Sequence, residues 1–469
     1  MSWDRKLRLF FRRNRIFLYQ HVSSIQIIVI YYLLVTLLSL GLFYLPFFRQ
    51  TGSDASFIDL LFMAVSTISV TGLTTFPINK IFNQNGVILL TILFQVGGLG
   101  IMMISTFFFI LSNKRISLKQ RQLIMTDMNQ PRLSGIVNLI RTTFLILISF
   151  QAIGGLLFSF YFKVTGYYDR WSDAFFNGFY QAISAVTNSG FDVTGHSILP
   201  YSTDYPFLFG IMFLIFIGGI GFPVIMDFRS WLIDKLTKKK LHQIPYRFSL
   251  FTKIAFFSFL ILFVAGTITI FLLERNHLFQ GASLLNQGVT SMFYSVTTRN
   301  AGLQIHDLNE FQTTTLLVFS LLMFIGCSPS SVGGGVRTTT IAIIGLYLFS
   351  FLKSESRVNV FGRQIDDDDL QKSIVVFMLS LFMCFSSVIF LTATEDFPLI
   401  SIVVEVASAF GTTGMSLGIT AALSPIGKIV IIALMFIGRI GMLYTLLLFV
   451  PKETRDLGYE YPTEKIIIG

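Results

Sequence analysis

Charge is what this chain has least of: 13% of its 469 residues are Asp, Glu, Lys or Arg, against 53% that are apolar. With a mean hydropathy of +0.71, that scarcity excludes an ordinary water-soluble globular domain and indicates a polytopic helical membrane protein. Cysteine is nearly absent as well. Cys327 and Cys384 both fall in apolar runs, which excludes a disulfide framework and leaves packing as their role. Neither has a histidine nearby to serve as a base. The five histidines show no metal-ligand spacing, and His242 sits in a basic loop. No GxGxxG follows a strand-like run, so no nucleotide bound by this chain itself is expected.

Long apolar runs are what the chain does have. Eight are long enough to cross a bilayer, which takes about 20 helical residues. They lie near 24–46, 86–112, 138–163, 206–228, 251–273, 314–352, 373–394 and 425–450. The first follows a basic arm without a small-residue cleavage site, so it reads as a retained helix. The arm, the connections 112–142, 227–253 and 353–372, and the tail from 450 hold 26 of the 35 Lys and Arg. By the positive-inside rule these regions are cytoplasmic, and eight crossings put both termini there. The outer connections instead carry twelve acids. An acidic outer face would concentrate cations at an entrance, although acids that merely solvate external loops would look the same.

A fourfold repeat organises the outer half. AVSTISVTGL (64–73), AISAVTNSGF (182–191), YSVTTRNAGL (294–303) and VASAFGTTGM (406–415) each run from small residues into Ser, Thr or Asn. Each then ends in Gly before a large apolar residue; the third copy has one extra residue between its Ser and its Gly. Upstream lie apolar runs of about a dozen residues, too short to span the hydrocarbon but suited to a re-entrant half-helix. Asp59 and Asp173 fall near the starts of the first two, where a carboxylate can cap exposed amides. Downstream, each unit enters an apolar helix marked GGLGIM (97–102), GGIGFP (218–223), GCSPSSVGGG (326–335) or GRIGML (438–443). Such units cannot bury their polar loops alone, whereas four around one axis can bury them against a shared aqueous path. Gly72, Gly190, Gly302 and Gly414 permit backbone angles closed to other residues. A ring of carbonyls turned inward can replace a cation's hydration shell. Close helix packing through small residues accounts for one copy but poorly for four at near-equal spacing.

These loops, together with SPSSVGGGVRTTT (328–340) in the third unit, resemble the Ktr/Trk/HKT superfamily of cation transporters, above all its bacterial KtrB/KtrD-type potassium-translocating subunits. The resemblance covers roughly residues 24–450. It implies an all-α fold of four units, each a first transmembrane helix, a pore half-helix, a filter loop and a second transmembrane helix, in pseudo-fourfold arrangement around one pore. Its divisions are a cytoplasmic arm (1–23), units at 24–112, 113–228, 229–352 and 353–450, and a cytoplasmic tail (451–469). It implies a K+ site at Val70, Thr71, Gly72, Asn188, Ser189, Gly190, Asn300, Ala301, Gly302, Thr412, Thr413 and Gly414. Some plant relatives have Ser at the first glycine, a change associated with sodium permeation; here the residue is Gly72. The family further implies a homodimer on a cytosolic ring of nucleotide-binding regulatory subunits (KtrA/KtrC-like), which would carry the nucleotide.

Only the third second-helix is expected to be broken. Pro329 removes a donor there, and Gly333, Gly334 and Gly335 loosen the backbone, so Ser328, Pro329, Ser330, Ser331, Gly333, Gly334, Gly335 and Arg337 read as a gate loop (327–337) under the filter. The matching helices of the other units are expected to cross without interruption. Arg439, a charge inside the last apolar run, is by resemblance a positive permeation barrier; a buried pair with Glu405 is the alternative. Arg337 anchors the glycine run or joins that barrier. Arg299 reads as a structural donor, and Asp366 to Asp369 as a solvated face. The basic loops 112–142 and 229–247 face lipid headgroups, or, by resemblance, the regulatory ring. The leading function is potassium uptake, with sodium as a second candidate ion. A sodium- or proton-coupled symporter is the rival. An intramembrane enzyme is remote, since Ser328, Ser330 and Ser331 have no His or Lys placed with them. No nucleic-acid partner is expected.

Overall fold

The structure is a computed structural model and describes residues 24–100, 118–127, 135–191, 197–237, 247–355 and 357–448. The basic arm (1–23), the tail (451–469) and parts of the basic connections 112–142 and 229–247 lie outside the described residues.

The helices run in four similar successions. The first is α1 (Ser24–Phe43), α2 (Phe57–Ser69), the single turn α3 (Ile78–Ile81) and α4 (Gln84–Leu99). A short helix, α5 (Leu118–Asp127), precedes α6 (Ile136–Val164), α7 (Trp171–Thr187), α8 (Tyr205–Gly219) and α9 (Phe222–Thr237). The third is α10 (Leu250–Glu274), α11 (Leu284–Thr297), α12 (Thr313–Ile325) and α13 (Thr338–Leu352). A small antiparallel hairpin follows, β1 (Asn359–Val360) and β2 (Arg363–Gln364), with Val360 opposite Arg363. The last is α14 (Asp367–Thr394), α15 (Leu399–Gly411), α16 (Pro425–Ile440) and α17 (Met442–Leu447).

Length and apolarity divide the helices by role. α1, α6, α10 and α14 are long and apolar enough to cross a membrane. Their outward sides carry Leu37, Leu38, Leu157, Phe160, Ile261, Phe382 and Phe385, each more than half exposed. So large an apolar exterior suits hydrocarbon, not water. The short helices α2, α7, α11 and α15 have 13, 17, 14 and 13 residues, as half-helices require, and their last turns are wholly buried. Ser56 and Ser283 cap α2 and α11 by accepting from the amides of Asp59 and Asn286, both at 3.2 Å. Ser56, not Asp59, is therefore the α2 cap. The Asp59 carboxylate instead pairs at 2.9 Å with Lys428 of α16, tying the first succession to the last.

One expectation is overturned. The third second-helix is broken between α12 and α13, but those of the second and fourth successions are interrupted as well, while the continuation of the first, 101–117, lies outside the described residues. Gly100 (φ 86°) ends α4, Gly221 (φ 101°) separates α8 from α9 with a bend of 103°, and Gly441 (φ 97°) separates α16 from α17. The final glycine of each GGLG, GGIG or GRIG motif takes a left-handed backbone that L side chains rarely adopt, and that stops the helix. Among the described residues, four single helices, or five counting the bent α8–α9 pair, meet the length and apolarity needed for a crossing.

Candidate functional site

The four repeated glycines meet in a closed ring. A Cβ built on Gly72 would lie 2.5 Å from the Ser189 carbonyl oxygen, and one on Gly190 would lie 2.5 Å from that of Ala301. A Cβ on Gly302 would strike the Thr413 carbonyl, and one on Gly414 would strike that of Thr71. Each glycine thus faces the carbonyl preceding the next glycine, and the fourth returns to the first. Their φ angles of 91°, 63°, 67° and 93° all lie in the left-handed region. Glycine is demanded twice, by backbone angle and by the neighbouring chain.

The residues leading into the ring are strained in the same sense. Val70, Asn188 and Thr412 end their short helices at φ 58°, 51° and 52°, a conformation that costs a β-branched residue on the order of 1–3 kcal/mol. A shared turn holds them. Thr71, Ser189 and Thr413 donate their amides to the carbonyls of Ser66, Ser184 and Ser408 at 2.9–3.0 Å. In the third loop, with its extra residue, the amides of Ala301 and Gly302 both donate to the Thr297 carbonyl, at 2.9 and 3.1 Å. Side chains fix the exits: Ser66 Oγ and Thr297 Oγ1 donate to the carbonyls of Leu73 and Leu303, and Ser408 Oγ accepts from the Gly414 amide. Tyr180 and Tyr294, which the sequence reading did not single out, brace the second and third loops. The Tyr180 hydroxyl donates to the Phe191 carbonyl at 3.0 Å, and the Tyr294 hydroxyl accepts from the amides of Ile305 and His306. Burial holds the His306 imidazole below its ordinary pKa, which favours its neutral form beside the third loop.

Residues 326–337 pack directly against this ring. A Cβ on Gly333 would meet the Asn300 side chain, and one on Gly334 the Thr412 side chain at 2.5 Å. Asn300 Nδ2 bridges to the carbonyl of Gly411 and the hydroxyl of Thr412, joining loops three and four above the segment. Ser328 and Val332 donate their amides to the carbonyls of Gly219 and Gly218, and the Ser330 carbonyl accepts from the Phe222 amide at 2.7 Å. Cys327 Sγ donates to the Arg299 carbonyl at 3.0 Å, and Ser331 Oγ to that of Ser328. Pro329, Ser330, Ser331, Gly335, Arg337 and Arg439 help line a cavity of about 380 Å³ on this segment.

The arginines act on backbone carbonyls. Arg439, almost fully buried, donates to Val332 of the broken segment and to Gly97 and Gly98 of α4, the last at 2.9 Å. The alternative pair with Glu405 is not formed: that buried carboxylate accepts from Ser416 Oγ at 2.7 Å and Thr420 Oγ1 at 2.6 Å behind the fourth loop. Arg337 closes its own loop by donating to Gly333. Arg299 donates to the Phe259 carbonyl at 2.9 Å and lies over that ring, a structural donor away from the ring of glycines. The acidic run 366–369 sits apart at the start of α14, where Asp366 caps the amide of Asp368 and Asp368 pairs with Lys372.

The family of cation transport proteins described as TrkH matches residues 48–456. The Ktr system potassium uptake protein D of Bacillus subtilis (strain 168) is 44% identical over 96% of this chain and 98% of its own length. The potassium/sodium uptake protein NtpJ of Enterococcus hirae is 32% identical over the same shares of both. Among solved structures, the potassium transporter TrkH from Vibrio parahaemolyticus superposes with a TM-score of 0.69 at 17% identity, covering 92% of this chain and 86% of that one; this likeness concerns the fold.

Proposed function

The chain belongs to the TrkH family of cation transport proteins and is of the KtrB/KtrD type, and from that premise we propose that it carries potassium into the cell through a single-file pore. The closed ring of Gly72, Gly190, Gly302 and Gly414 is the observation that carries this reading. Carbonyls fixed in such a ring replace the water shell of a dehydrated cation at little reorganisation cost. Val70, Thr71, Asn188, Ser189, Asn300, Ala301, Thr412 and Thr413 complete the filter. The four successions are its pore units, bounded near 24–112, 113–228, 229–352 and 353–450, with eight crossings and both termini cytoplasmic. Residues 327–337 are the gate, since they pack under loops three and four and hold a positively charged fork from α16. Arg439 is the barrier. The chain acts as a homodimer on a cytosolic ring of nucleotide-binding regulatory subunits of the KtrA/KtrC kind, and sodium is the competing ion at the filter. Transport, not catalysis, is the activity.

Cells lacking their own potassium systems should take up rubidium when they express this chain with a regulatory partner. No uptake with any such partner overturns the proposal. In proteoliposomes, flux that required an opposing sodium or proton gradient would replace the pore with a coupled symporter. Deleting 330–335 removes the Ser330 and Val332 contacts to Phe222 and Arg439. It should raise partner-independent rubidium flux severalfold, and unchanged flux in a monodisperse protein counts against the gate.

A further inference from the structure

After the 103° bend at Gly221, α9 runs nearly perpendicular to α8. If α8 crosses the bilayer, α9 lies along its surface. Its residues suit that position: Phe228, Leu232, Ile233 and Leu236 are exposed, Trp231 lies tilted against Phe228, and Lys235 rests over the Trp231 ring at 5.1 Å. Exposed apolar residues, an indole and cations on one helix are the features of an interfacial helix. A groove of about 480 Å³ runs along α6 from Asn138 to Ile153, and Arg229 of α9 closes one side of it. Its polar end holds Arg141, Arg229, Asn138 and Thr142, and its wall continues along α6 through Leu145 and Ile153.

Among the described residues no carboxylate lies within salt-bridge distance of Arg141 or Arg229. Asp227, two residues from Arg229, accepts from Ser249 and Thr252. Two guanidinium groups at one end of an apolar trough match the two halves of a lipid: a phosphate accepts from the forks, and an acyl chain lies against Leu145 and Ile153.

We propose that the α6–α9 groove binds an anionic phospholipid, its phosphate between Arg141 and Arg229. The site rests on the membrane reading of the chain and not on the pore.

Trp231, two residues from Arg229 on α9, serves as the reporter. The full chain is reconstituted in vesicles of phosphatidylcholine with a minor fraction of brominated phosphatidylglycerol or, in parallel, brominated phosphatidylcholine. The other described tryptophan, Trp171, and Trp3 are replaced by phenylalanine. Brominated phosphatidylglycerol should quench Trp231 several times more strongly at equal mole fraction, and Arg141→Gln with Arg229→Gln should remove that preference. Equal quenching by the two lipids, or a preference unchanged in the double variant, overturns the site. So does weak quenching by both lipids joined with disulfide-linked dimers of Arg229→Cys, which would assign the groove to a second copy. Arg141→Lys with Arg229→Lys should keep part of the preference, separating lost charge from a misfolded α9. Quenching needs no transport, so a failed uptake assay leaves this outcome independent.

Discussion

Gly302→Ala is expected to lower rubidium uptake at least tenfold while the protein still inserts and elutes as the unsubstituted chain does. The alanine Cβ would be driven into the Thr413 carbonyl, at a backbone angle of φ 67°. The angle alone costs a non-glycine residue roughly 1–2 kcal/mol, and the overlap must be relieved by moving loop three or the Thr413 carbonyl. The neighbours resist such movement, since the Gly302 amide is held by Thr297 and the Gly411–Thr412 stretch by Asn300. A filter works by holding its oxygens at one radius, and a barrier raised by about 1.4 kcal/mol already costs tenfold in rate. Gly72→Ser should be milder and more telling, because its Cβ meets the Ser189 carbonyl at 2.5 Å. Uptake should persist with sodium admitted beside rubidium. Gly52 provides the control. It has φ 80° with nothing within 4 Å of a built Cβ, so Gly52→Ala carries the backbone strain without the collision and should stay within about twofold. Full rubidium uptake and unchanged rubidium-over-sodium preference in Gly302→Ala would mean that the glycine ring is not the filter.

The parts of this architecture visible in the sequence are those that local chemistry marks. A glycine after Ser, Thr or Asn, repeated four times behind a short apolar run, betrays a half-helix and a constrained turn because few other uses need all three features together. The broken segment 326–337 was visible for a similar reason, since Pro329 and three consecutive glycines cannot continue a helix. The breaks at Gly221 and Gly441 were hidden. A GxxG motif in an apolar run also serves close helix packing, and only the left-handed angle of its last glycine distinguishes the two. The first glycine of each motif does serve packing: a Cβ on Gly97, Gly218 or Gly438 would run into the carbonyl of Ile68, Val186 or Phe410 at the end of a short helix. Long-range partners were beyond reach altogether. Nothing local says that Lys428 meets Asp59 369 positions away, or that Glu405 turns to Ser416 and Thr420 while Arg439 takes carbonyls from two other units. Those choices follow from desolvation, because a buried charge takes whichever fixed dipoles the packed chain offers.

Arg439→Gln is expected to raise partner-independent rubidium flux by roughly tenfold. A cation that passed within about 8 Å of the guanidinium would be repelled by ~2 kcal/mol at an effective dielectric of ~20, some thirtyfold in rate at full effect. Water in the adjoining cavity would screen part of that. Charge is only half of what Arg439 does. Its fork joins Val332 of the broken segment to Gly97 and Gly98 of α4, so the same substitution loosens the segment. Arg439→Lys separates the two effects. Lysine keeps the charge but presents a single ammonium in place of the planar fork, so it cannot hold carbonyls on two units in the same way. If repulsion dominates, Lys should leave flux near its unsubstituted level while Gln raises it; if the clamp dominates, both should raise it. Flux measured in proteoliposomes without the regulatory subunit, on protein checked for an unchanged melting temperature, decides between them. A folded Arg439→Gln protein with unchanged flux would remove Arg439 from the permeation path and leave it as a strut between α4, α16 and the broken segment.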